Sequence, residues 1–383
     1  MLRILTIIGA RPQIIKAAAL SRAIRTDYAD RINEIILHTG QHYDDNMSQV
    51  FFDEMGIPPP DYNLNVGSGS HGKQTAAMIR GIEEVIEKES PDYLVLYGDT
   101  NSTLAGAVAA VKLGIPVAHI EAGLRSFNKS MPEEINRITC DHCSTLLFSP
   151  TQAGLENLSR EGFPENSTPP YNVDHPGVFH CGDVMYDNAL FFSEIAEQQT
   201  GILKKLGLTG KRFILSTIHR DNNTDIAERL NAIFSSILRI ATDHGETIVL
   251  PLHPRTLKMI DRHLDNTLLD GIRSSKNIIM IPPVSFLEMI MLEKHSSMII
   301  TDSGGVQKES YFYHKPCIIL RPETEWVEIV ENGSAVIADA DPEKILSAYQ
   351  HFLENPPASF PPLYGDGRAA WFVCETVLNT WST

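Results

Sequence analysis

The sequence predicts an α/β protein built from doubly wound parallel sheets. Short apolar runs alternate with segments whose apolar residues recur at helical spacing, which is the pattern of strands joined by crossover helices. The clearest unit has apolar runs that start at Tyr93 and Ile115, with a helical segment from Thr103 to Leu113 between them. Because ligands of such sheets bind at the carboxyl ends of the strands, we expect functional side chains directly after these runs.

The chain is long enough for two domains. Its 383 residues exceed the usual size of a single core, and the alternation of strands and helices occurs twice. We expect a first domain at residues 1–175, which starts with a strand from Arg3 to Ile8. We expect a second at residues 176–366, which starts with a strand from Arg212 to Ser216. The stretch from Glu161 to Pro176 is rich in Pro, Asn and Ser, which favours a surface loop near the boundary.

The remaining elements follow from local patterns. Pro12 fits the first turn of a helix that continues through Lys16 to Ile24, and the prolines from Pro58 to Pro60 indicate a turn. Further strands are predicted at residues 34–38, 145–148, 247–252, 277–281, 298–301 and 316–320. Further helices are predicted near residues 46–55, 75–88 and 225–242, and directly after Gly305.

The composition excludes several classes of partner. With 32 Lys and Arg against 48 Asp and Glu, the net charge is −16, which argues against nucleic acid or an anionic membrane as the main partner. No apolar run approaches the roughly 18–20 residues needed to cross a bilayer. The stretch from Met1 to Ala10 is too short and too weakly basic for a signal peptide. We therefore expect a cytoplasmic protein whose anionic ligands, if any, bind in a local basic pocket.

The five cysteines do not resemble a disulfide framework, because they are odd in number and scattered. Cys140 and Cys143 have a C-x-x-C spacing, but no second pair of this kind accompanies them. A helix that carries Ile135 and Ile138 explains the region without a metal, so no metal site is predicted.

Titratable side chains cluster at the predicted strand ends. They are Arg11, His42, Asp99, Glu121, His219, His253 and Asp302, with Glu133 and Glu134 in the loop after Glu121. Any one of them could form a salt bridge or cap a helix, and the two adjacent glutamates could be first-turn acids after Pro132. Gathered at one sheet edge, however, carboxylates and imidazoles are what acid/base chemistry requires. Buried carboxylates also need pairing, which Arg125 and Arg137 could supply for Asp99 and Glu121.

One loop is suited to bind a phosphate. Ser303, Gly304 and Gly305 follow a predicted strand and open a helix, where free N–H groups and the helix dipole favour an anion. An ordinary strand-to-helix turn would explain these glycines equally well. The sequence contains neither the Rossmann fingerprint nor a Walker loop, which disfavours dinucleotide and nucleoside triphosphate cofactors.

These motifs together resemble the non-hydrolysing UDP-N-acetylglucosamine 2-epimerases, and the resemblance covers nearly the whole chain in order. The motifs lie at residues 9–16, 98–100, 119–125, 132–137, 219–220, 302–305 and 364–367. The resemblance implies a GT-B architecture, in which two Rossmann-like doubly wound domains have the active site in the cleft between them. It also implies a C-terminal helix, here at residues 367–383, that crosses back to the first domain.

The implied activity is inversion of carbon 2 of a UDP-2-acetamido sugar, from UDP-N-acetylglucosamine to UDP-N-acetylmannosamine, in polysaccharide biosynthesis. The route is elimination of UDP to a 2-acetamidoglucal intermediate and its re-addition, with no cofactor and no metal. The family also implies a cytoplasmic homodimer whose partner is the UDP-sugar substrate.

The resemblance assigns roles to individual residues. The implied acid/base carboxylates are Asp99, Glu121 and Glu133, and His219 assists at the leaving phosphate. The implied diphosphate ligands are Arg11, Lys16, Ser303, Gly304 and Gly305. Glu309 is expected at the ribose hydroxyls, and Arg137 and Arg220 complete the substrate-binding set. Which carboxylate faces which side of the sugar stays open.

Two departures from the family pattern leave alternatives. Many bacterial members have a Gln-His-Arg-Gln-like run that binds a second, activating UDP-N-acetylglucosamine, whereas this chain has Gln41-His-Tyr-Asp44, which disfavours such activation. The stretches 9–13, 125–128 and 324–328 resemble a branch that includes epimerases of UDP-2,3-diacetamido-2,3-dideoxy-glucuronate, so that sugar is the alternative substrate. A GT-B glycosyltransferase and a non-enzymatic UDP-sugar sensor are rival functions, although neither would need the three carboxylates.

Overall fold

The structure is a computed structural model that describes residues 1–41 and 56–381. The helix expected near residues 46–55 lies outside the described residues, as do His42 and the rest of the run to Asp44.

The chain divides into two compact α/β units. The first contains Met1–Asn188 and Pro362–Thr383, and the second contains Ala189–Pro361. Each has its own parallel sheet and its own core of buried apolar side chains.

The first unit contains seven of the strands found in the described residues, all parallel. They are β1 (Leu2–Ile8), β2 (Ile32–His38), β3 (Tyr62–Asn63), β4 (Tyr93–Tyr97), β5 (Val117–Ile120), β6 (Leu146–Ser149) and β7 (Gly177–His180). Their order in the sheet is β3-β2-β1-β4-β5-β6-β7. Sequence alone located the longer apolar strands, whereas β3 and β7 are too short and too polar to stand out.

Helices connect these strands. They are α1 (Arg11–Ala23), continued by a π-helical turn at Ile24–Tyr28, then α2 (His71–Glu89), α3 (Asn101–Lys112), α4 (Pro132–His142), α5 (Gln152–Arg160) and α6 (Val184–Gln199). The division between the units falls inside α6.

The second unit repeats the pattern. Its strands are β8 (Ile214–Thr217), β9 (Ile248–Pro251), β10 (Ile278–Ile281), β11 (Met298–Thr301), β12 (Cys317–Ile319) and β13 (Ala335–Ile337), in the order β10-β9-β8-β11-β12-β13. Its further helices are α7 (Ile202–Lys205), α8 (Asp221–Thr224), α9 (Ala227–Asp243), α10 (Pro254–His263), α11 (Asn266–Ser274), α12 (Phe286–His295), α13 (Gly304–Phe312), α14 (Val327–Glu331) and α15 (Pro342–Glu354). The last helix, α16 (Ala369–Trp381), belongs to the first unit.

Both sheets are doubly wound, and the strand order reverses at the same place in each. In the first sheet β1 lies beside both β2 and β4, and in the second β8 lies beside both β9 and β11. The crevice at such a reversal, beyond the carboxyl ends of the strands, is where doubly wound proteins bind ligands. The residues that follow β1, β4, β8 and β11 are those that the sequence singled out.

The observed boundary differs from the one expected at residues 175 and 176. Strand β7 follows the Pro-rich loop and pairs in parallel with β6, with Leu146 opposite Gly177. A boundary at residue 175 would separate this strand from its own sheet. The loop from Glu161 to Pro176 is therefore a connection within the first unit, because hydrogen bonding of β7 continues beyond it.

Helix α16 is joined to the first unit by specific contacts. The carboxylate of Asp187, in α6, accepts hydrogen bonds from the backbone N–H groups of Ala369 at 3.1 Å and Ala370 at 2.8 Å. Tyr93 donates to the Thr380 hydroxyl at 3.2 Å. Burial raises the pKa of Asp187 to about 6, against the opposing effect of the two N–H groups. Within the described residues no helix is long and apolar enough to cross a bilayer.

We predict that Asp187→Ala lowers the free energy of unfolding by about 2 kcal/mol, because two buried N–H groups at the start of α16 lose their acceptor. Urea unfolding measures the loss. The matched control is Glu194→Ala on the exposed face of the same helix, which should change the free energy of unfolding by less than about 0.5 kcal/mol. Equal effects of the two substitutions would contradict a capping role for Asp187.

Candidate active site

Asp99 lies in the turn between β4 and α3. The turn begins at Gly98, whose φ of 61° is left-handed, and its N–H donates to the Ile120 carbonyl at 3.0 Å. The Asp99 carboxylate forms an ion pair with Arg137, and its side chain is 30% exposed. Asn136 donates to the Asp99 carbonyl at 2.9 Å. Helix α4 therefore fixes both the backbone and the side chain of Asp99.

Glu121 follows β5 directly and has an unusual backbone. Its φ of 76° is left-handed, a conformation that a non-glycine residue adopts only where the surrounding structure enforces it. The backbone N–H of Glu121 donates to the Phe148 carbonyl at 3.0 Å, which holds this turn against β6. The Glu121 carboxylate pairs with Lys16 from α1, and only 12% of its side chain is exposed. The turn thus directs Glu121 toward α1.

Gly98 brings the turns carrying Asp99 and Glu121 into close approach. A Cβ atom at this position would lie 2.9 Å from Lys16 Nζ and 3.2 Å from Glu121 Oε2. A larger residue would displace the ion pair as well as strain the left-handed backbone. The structure therefore gathers Asp99, Glu121, Lys16 and Arg137 at one edge of the first sheet.

The expected pairing was right for Arg137 and wrong for Arg125. Arg125 is 6% exposed and forms a two-pronged pair with Glu161, at 2.7 Å for both contacts, and an ion pair with Asp141 at 2.8 Å. Burial acts to lower the pKa of Arg125, but Glu161 and Asp141 outweigh it and raise that pKa above its usual value. Lys16 is the cation beside Glu121, and its expected role at the diphosphate stays a prediction. Sequence spacing could not reveal the pairing with Glu121, because Lys16 reaches the site from a distant part of the chain.

The two adjacent glutamates of α4 have opposite environments. Glu134 is 1% exposed and accepts hydrogen bonds from Ser126 N–H at 2.9 Å and Phe127 N–H at 2.9 Å, and it pairs with Arg137 at 2.7 Å. It is a structural residue that secures the loop before the helix. Glu133 is exposed in the first turn. Of the two, Glu133 is therefore the one available to a ligand.

In the second unit, Asp302 organises the turn that carries His219. The fully buried Asp302 carboxylate accepts from the backbone N–H groups of His219 at 3.1 Å and Arg220 at 3.0 Å, and from Asn223 at 3.1 Å. The imidazole of His219 is about half exposed, with Nδ1 3.8 Å from Asp302. Asp302 is therefore a support, and His219 and Arg220 are exposed at the carboxyl edge of the second sheet.

The loop before α13 has the geometry of a helix start. Ser303 is the N-cap, and its hydroxyl accepts from Val306 N–H at 3.4 Å. The amides of Gly304 and Gly305 lie in the first turn, where N–H groups have no acceptor inside the helix. A Cβ at Gly304 would meet nothing closer than Arg321 at 3.6 Å, so the space beside this backbone is open.

Glu309, one turn further along α13, contacts a second carboxyl group. The side chain of Glu293, on α12, is 1% exposed and hydrogen-bonds Glu309. Burial, and next the neighbouring Glu309, raises the pKa of Glu293 well above its usual value. Glu309 itself is partly exposed on the helix that Ser303 caps.

The remaining candidate residues from the sequence lie at helix starts or in the core. Arg11 is exposed at the start of α1. His253 caps α10, and its Nδ1 accepts from Arg255 N–H at 3.3 Å. Cys140 is buried in the core of the first unit, and the described residues contain no group of three His, Cys, Asp or Glu side chains arranged to bind a metal ion.

Sequence reasoning passed over four supporting residues. Gln13, beside the site in α1, donates to the Tyr97 carbonyl at 3.1 Å and so joins α1 to the end of β4. The others are His119, Asp141 and Glu161, which with Arg125 form a chain of buried or half-buried charged contacts. His119 was visible within its motif, but nothing in the spacing pointed to Asp141 and Glu161 as its neighbours.

The first doubly wound unit has paired carboxylates at the carboxyl edge of its sheet, and the second has a helix N-terminus suited to bind an anion. Two such units are typical of nucleotide-sugar enzymes with the GT-B fold. The chain belongs to the UDP-N-acetylglucosamine 2-epimerase family, whose sequence model matches residues 24–378. It is an isomerase, and the glycosyltransferase and sensor alternatives are thereby set aside. The family, the fold class and the enzyme class expected from the sequence are confirmed.

Individual relatives are similar over their whole length. The chain is 46% identical over 380 residues to a UDP-N-acetylglucosamine 2-epimerase homolog of Methanococcus maripaludis, covering 99% of this chain and 100% of the relative. It is 46% identical over 374 residues to the UDP-2,3-diacetamido-2,3-dideoxy-D-glucuronate 2-epimerase of Pseudomonas aeruginosa, covering 98% and 99%. The crystal structure of the UDP-GlcNAc 2-epimerase of Methanocaldococcus jannaschii, in complex with UDP-GlcNAc and UDP, matches with a TM-score of 0.83 at 40% identity, covering 99% of this chain and 100% of that one.

We predict a pH-dependent contribution of Glu161 to stability. The hydrogen bonds from Arg125 lower the pKa of Glu161 from its ordinary 4.5. The folded protein therefore favours the ionised carboxylate, and this stabilisation is present above about pH 4.5 and lost as the pH falls through the folded pKa. Glu161→Gln should lower the free energy of unfolding by about 1–2 kcal/mol at pH 7, and by progressively less below about pH 4.5.

Urea unfolding at several pH values measures this difference. The control is Glu156→Gln on α5, whose pair with Arg160 spans 3.6 Å and whose side chain is 54% exposed. It should change stability by less than about 0.5 kcal/mol at every pH. A difference for Glu161→Gln that does not vary with pH would show that the contribution is not ionic.

Proposed function

We propose that this protein inverts carbon 2 of a UDP-2-acetamido sugar and interconverts UDP-N-acetylglucosamine and UDP-N-acetylmannosamine. The observation that carries the proposal is the placement of Asp99 and Glu121 at the ends of the neighbouring strands β4 and β5, each beside a basic partner. Glu133 adds a third, exposed carboxylate on α4. Removal of a proton from one face of a carbon and its return on the other require at least two such groups.

In the proposed reaction UDP is the leaving group. A carboxylate takes the proton of carbon 2, the electron pair of that C–H bond forms a double bond between carbons 1 and 2, and the bond from carbon 1 to the UDP oxygen breaks. This step gives 2-acetamidoglucal and UDP. Protonation of carbon 2 from the opposite face and return of UDP to carbon 1 give the epimer. Electrons balance without a redox cofactor, so acid/base groups and stabilisation of the departing diphosphate suffice.

The basic partners on the first unit orient the carboxylates. Lys16 and Arg137 hold Glu121 and Asp99 in single positions through their ion pairs. A fixed position contributes to rate because a proton acceptor must lie within hydrogen-bonding distance of the proton it removes. We assign Arg11 to the diphosphate, since it is exposed at the start of α1, which follows β1 at the same edge of the sheet.

The second unit supplies the proposed nucleotide contacts. The amides of Gly304 and Gly305, with the Ser303 cap, would bind the diphosphate, because a helix start favours an anion. His219 would assist the departing phosphate, and Arg220, in the same turn, would add positive charge.

Glu309, whose carboxylate accepts hydrogen bonds, would bind the ribose hydroxyls.

The cytoplasmic location and the homodimer expected from the sequence remain predictions.

A second candidate substrate is UDP-2,3-diacetamido-2,3-dideoxy-glucuronate. The relative from Pseudomonas aeruginosa that is named for this sugar is as similar to the chain, at 46%, as the relative named as a homolog of the N-acetylglucosamine enzyme. The same elimination and re-addition at carbon 2 would serve both sugars, so the chemistry of the carboxylates does not discriminate between them.

We predict that the protein incorporates deuterium at carbon 2 when it is incubated with UDP-N-acetylglucosamine alone in deuterated water. Exchange follows because the proton removed in the elimination step is replaced from solvent-derived acid. Mass spectrometry and proton NMR of the recovered nucleotide sugars measure the exchange. A parallel incubation with the diacetamido uronate distinguishes the substrates, and faster exchange of the uronate would reverse the assignment. Absence of exchange with both sugars would contradict the proposed function.

We predict that Asp99→Asn, Glu121→Gln and Glu133→Gln each lower kcat by about 10²-fold or more, because each removes a group that transfers or balances a proton. Affinity for UDP, measured by calorimetry, should remain, since the nucleotide contacts are assigned to other residues. Glu87→Gln on α2 is an exposed control and should retain full turnover. Near-normal turnover of Glu121→Gln would contradict the role of Glu121.

A further inference from the structure

The imidazole of His119 lies between two hydrogen-bond acceptors. Nδ1 is 2.7 Å from Asp141 Oδ1, Nε2 is 2.8 Å from the Gly98 carbonyl oxygen, and none of the side chain is exposed. A carbonyl oxygen only accepts, so Nε2 carries a proton. Asp141 already accepts from Arg125 at 2.8 Å and from Gly123 N–H at 3.1 Å, which is the environment of an ionised carboxylate. Nδ1 therefore carries a proton as well.

With a proton on both nitrogens, His119 is an imidazolium. Its charge belongs to the buried charge cluster, which we define as His119, Asp141, Arg125 and Glu161 and which is neutral overall. Burial acts to lower the pKa of His119, but Cys140 and Asp141 on α4 outweigh it and raise that pKa to about 10. A neutral imidazole has a single N–H and would leave one of the two buried acceptors without a donor.

The cluster joins the three segments that carry the proposed acid/base carboxylates. Gly98 directly precedes Asp99 in the turn after β4, and His119 stands two residues before Glu121 in β5. Asp141 lies on α4, the helix whose first turn contains Glu133. Through the His119 imidazolium, contacts from Gly98 and from Asp141 meet on a single side chain.

We propose that His119 is a positioning residue that stays protonated throughout turnover and fixes the turn of Asp99 relative to Glu121 and helix α4. It does not exchange its proton with the substrate, because both N–H groups are buried and already donated to acceptors on the protein. The assignment of Asp99 and Glu121 as the groups being positioned rests on the proposed function. The protonation state of His119 and the geometry of the turn are independent of the proposed function.

The protonation state is tested by NMR of protein labelled with ¹⁵N in the histidine rings, without substrate. At about pH 8.5 an exposed histidine, with a pKa near 6.5, is neutral and shows one protonated ring nitrogen. The resonances that disappear in His119→Gln identify His119, and we expect them to show two protonated nitrogens at this pH. In Asp141→Asn the second proton should be lost at lower pH. A neutral His119 ring in the wild-type protein would overturn the proposal.

The positioning role is tested with His119→Gln, whose amide can still donate to Gly98 but has no charge. We expect kcat to fall by about 10²-fold, the loss that follows a displacement of about 1 Å of a reacting group. UDP affinity and both limbs of the pH profile of kcat should be unchanged. Loss of a limb would instead make His119 an acid or base, contrary to the proposal.

The control is Asp187→Asn, which alters another buried hydrogen-bonded side chain of the same unit but touches neither turn. Its stability should fall while its kcat stays at the wild-type value. If His119→Gln behaved in the same way, with full kcat per folded molecule, His119 would be merely structural.

A crystal structure of His119→Gln gives a readout that needs no activity. We expect the turn at Gly98 and Asp99 to be displaced, and an unmoved turn would overturn the positioning role. Should the wild-type protein fail to epimerise either sugar, the proposed function would be wrong. The NMR and crystal results would still decide whether His119 is a charged residue that fixes this turn.

Discussion

The charges buried at the carboxyl edge of the first sheet have to be paired, and this constraint determines how the elements around that edge are arranged. Transfer of an ion from water into a protein interior costs several kcal/mol, which only a close opposite charge and hydrogen bonds offset. Lys16 satisfies Glu121 and Arg137 satisfies Asp99. Because these cations come from α1 and α4, each strand end is linked to a helix, and a carboxylate held on two sides keeps its position.

The carboxylates of this protein differ in how fully they are hydrogen-bonded. This difference distinguishes the carboxylates that stabilise the fold from those that are proposed to act as acid or base. Glu134, Asp141 and Asp302 are buried, and each accepts several hydrogen bonds, including backbone N–H groups. Such a group fixes a turn but has no free lone pair for a ligand. Glu133 is exposed, and Asp99 is 30% exposed with one face toward Arg137. Asp and Glu side chains thus stabilise a turn in one place and are candidate acids or bases in another.

Sequence predicted the strands well where they are apolar and buried on both faces, as in the run from Met298 to Thr301, whose observed bounds are the same. It missed β3, β7 and β13, which have only two to four residues each, too few for a periodicity to be detected. The missing β7 placed the first boundary too early. Pairing of charges was also only partly predictable. Arg125 and Arg137 were both expected to pair with Asp99 and Glu121, whereas Arg137 pairs with Asp99 and Arg125 pairs with Asp141 and Glu161. Proximity in sequence is a poor guide to contact across a sheet.

The sequence by itself determined the doubly wound α/β fold, the family and the residues that gather at the strand ends. It could do so because apolar periodicity is a local property and parallel strands place their carboxyl ends at one edge. Only the tertiary structure decided which of those residues stabilise turns and which are exposed to a ligand. It also decided that Lys16 pairs with Glu121 and that His119 lies between Asp141 and Gly98. Burial and pairing depend on segments distant in the chain, and no local pattern encodes them.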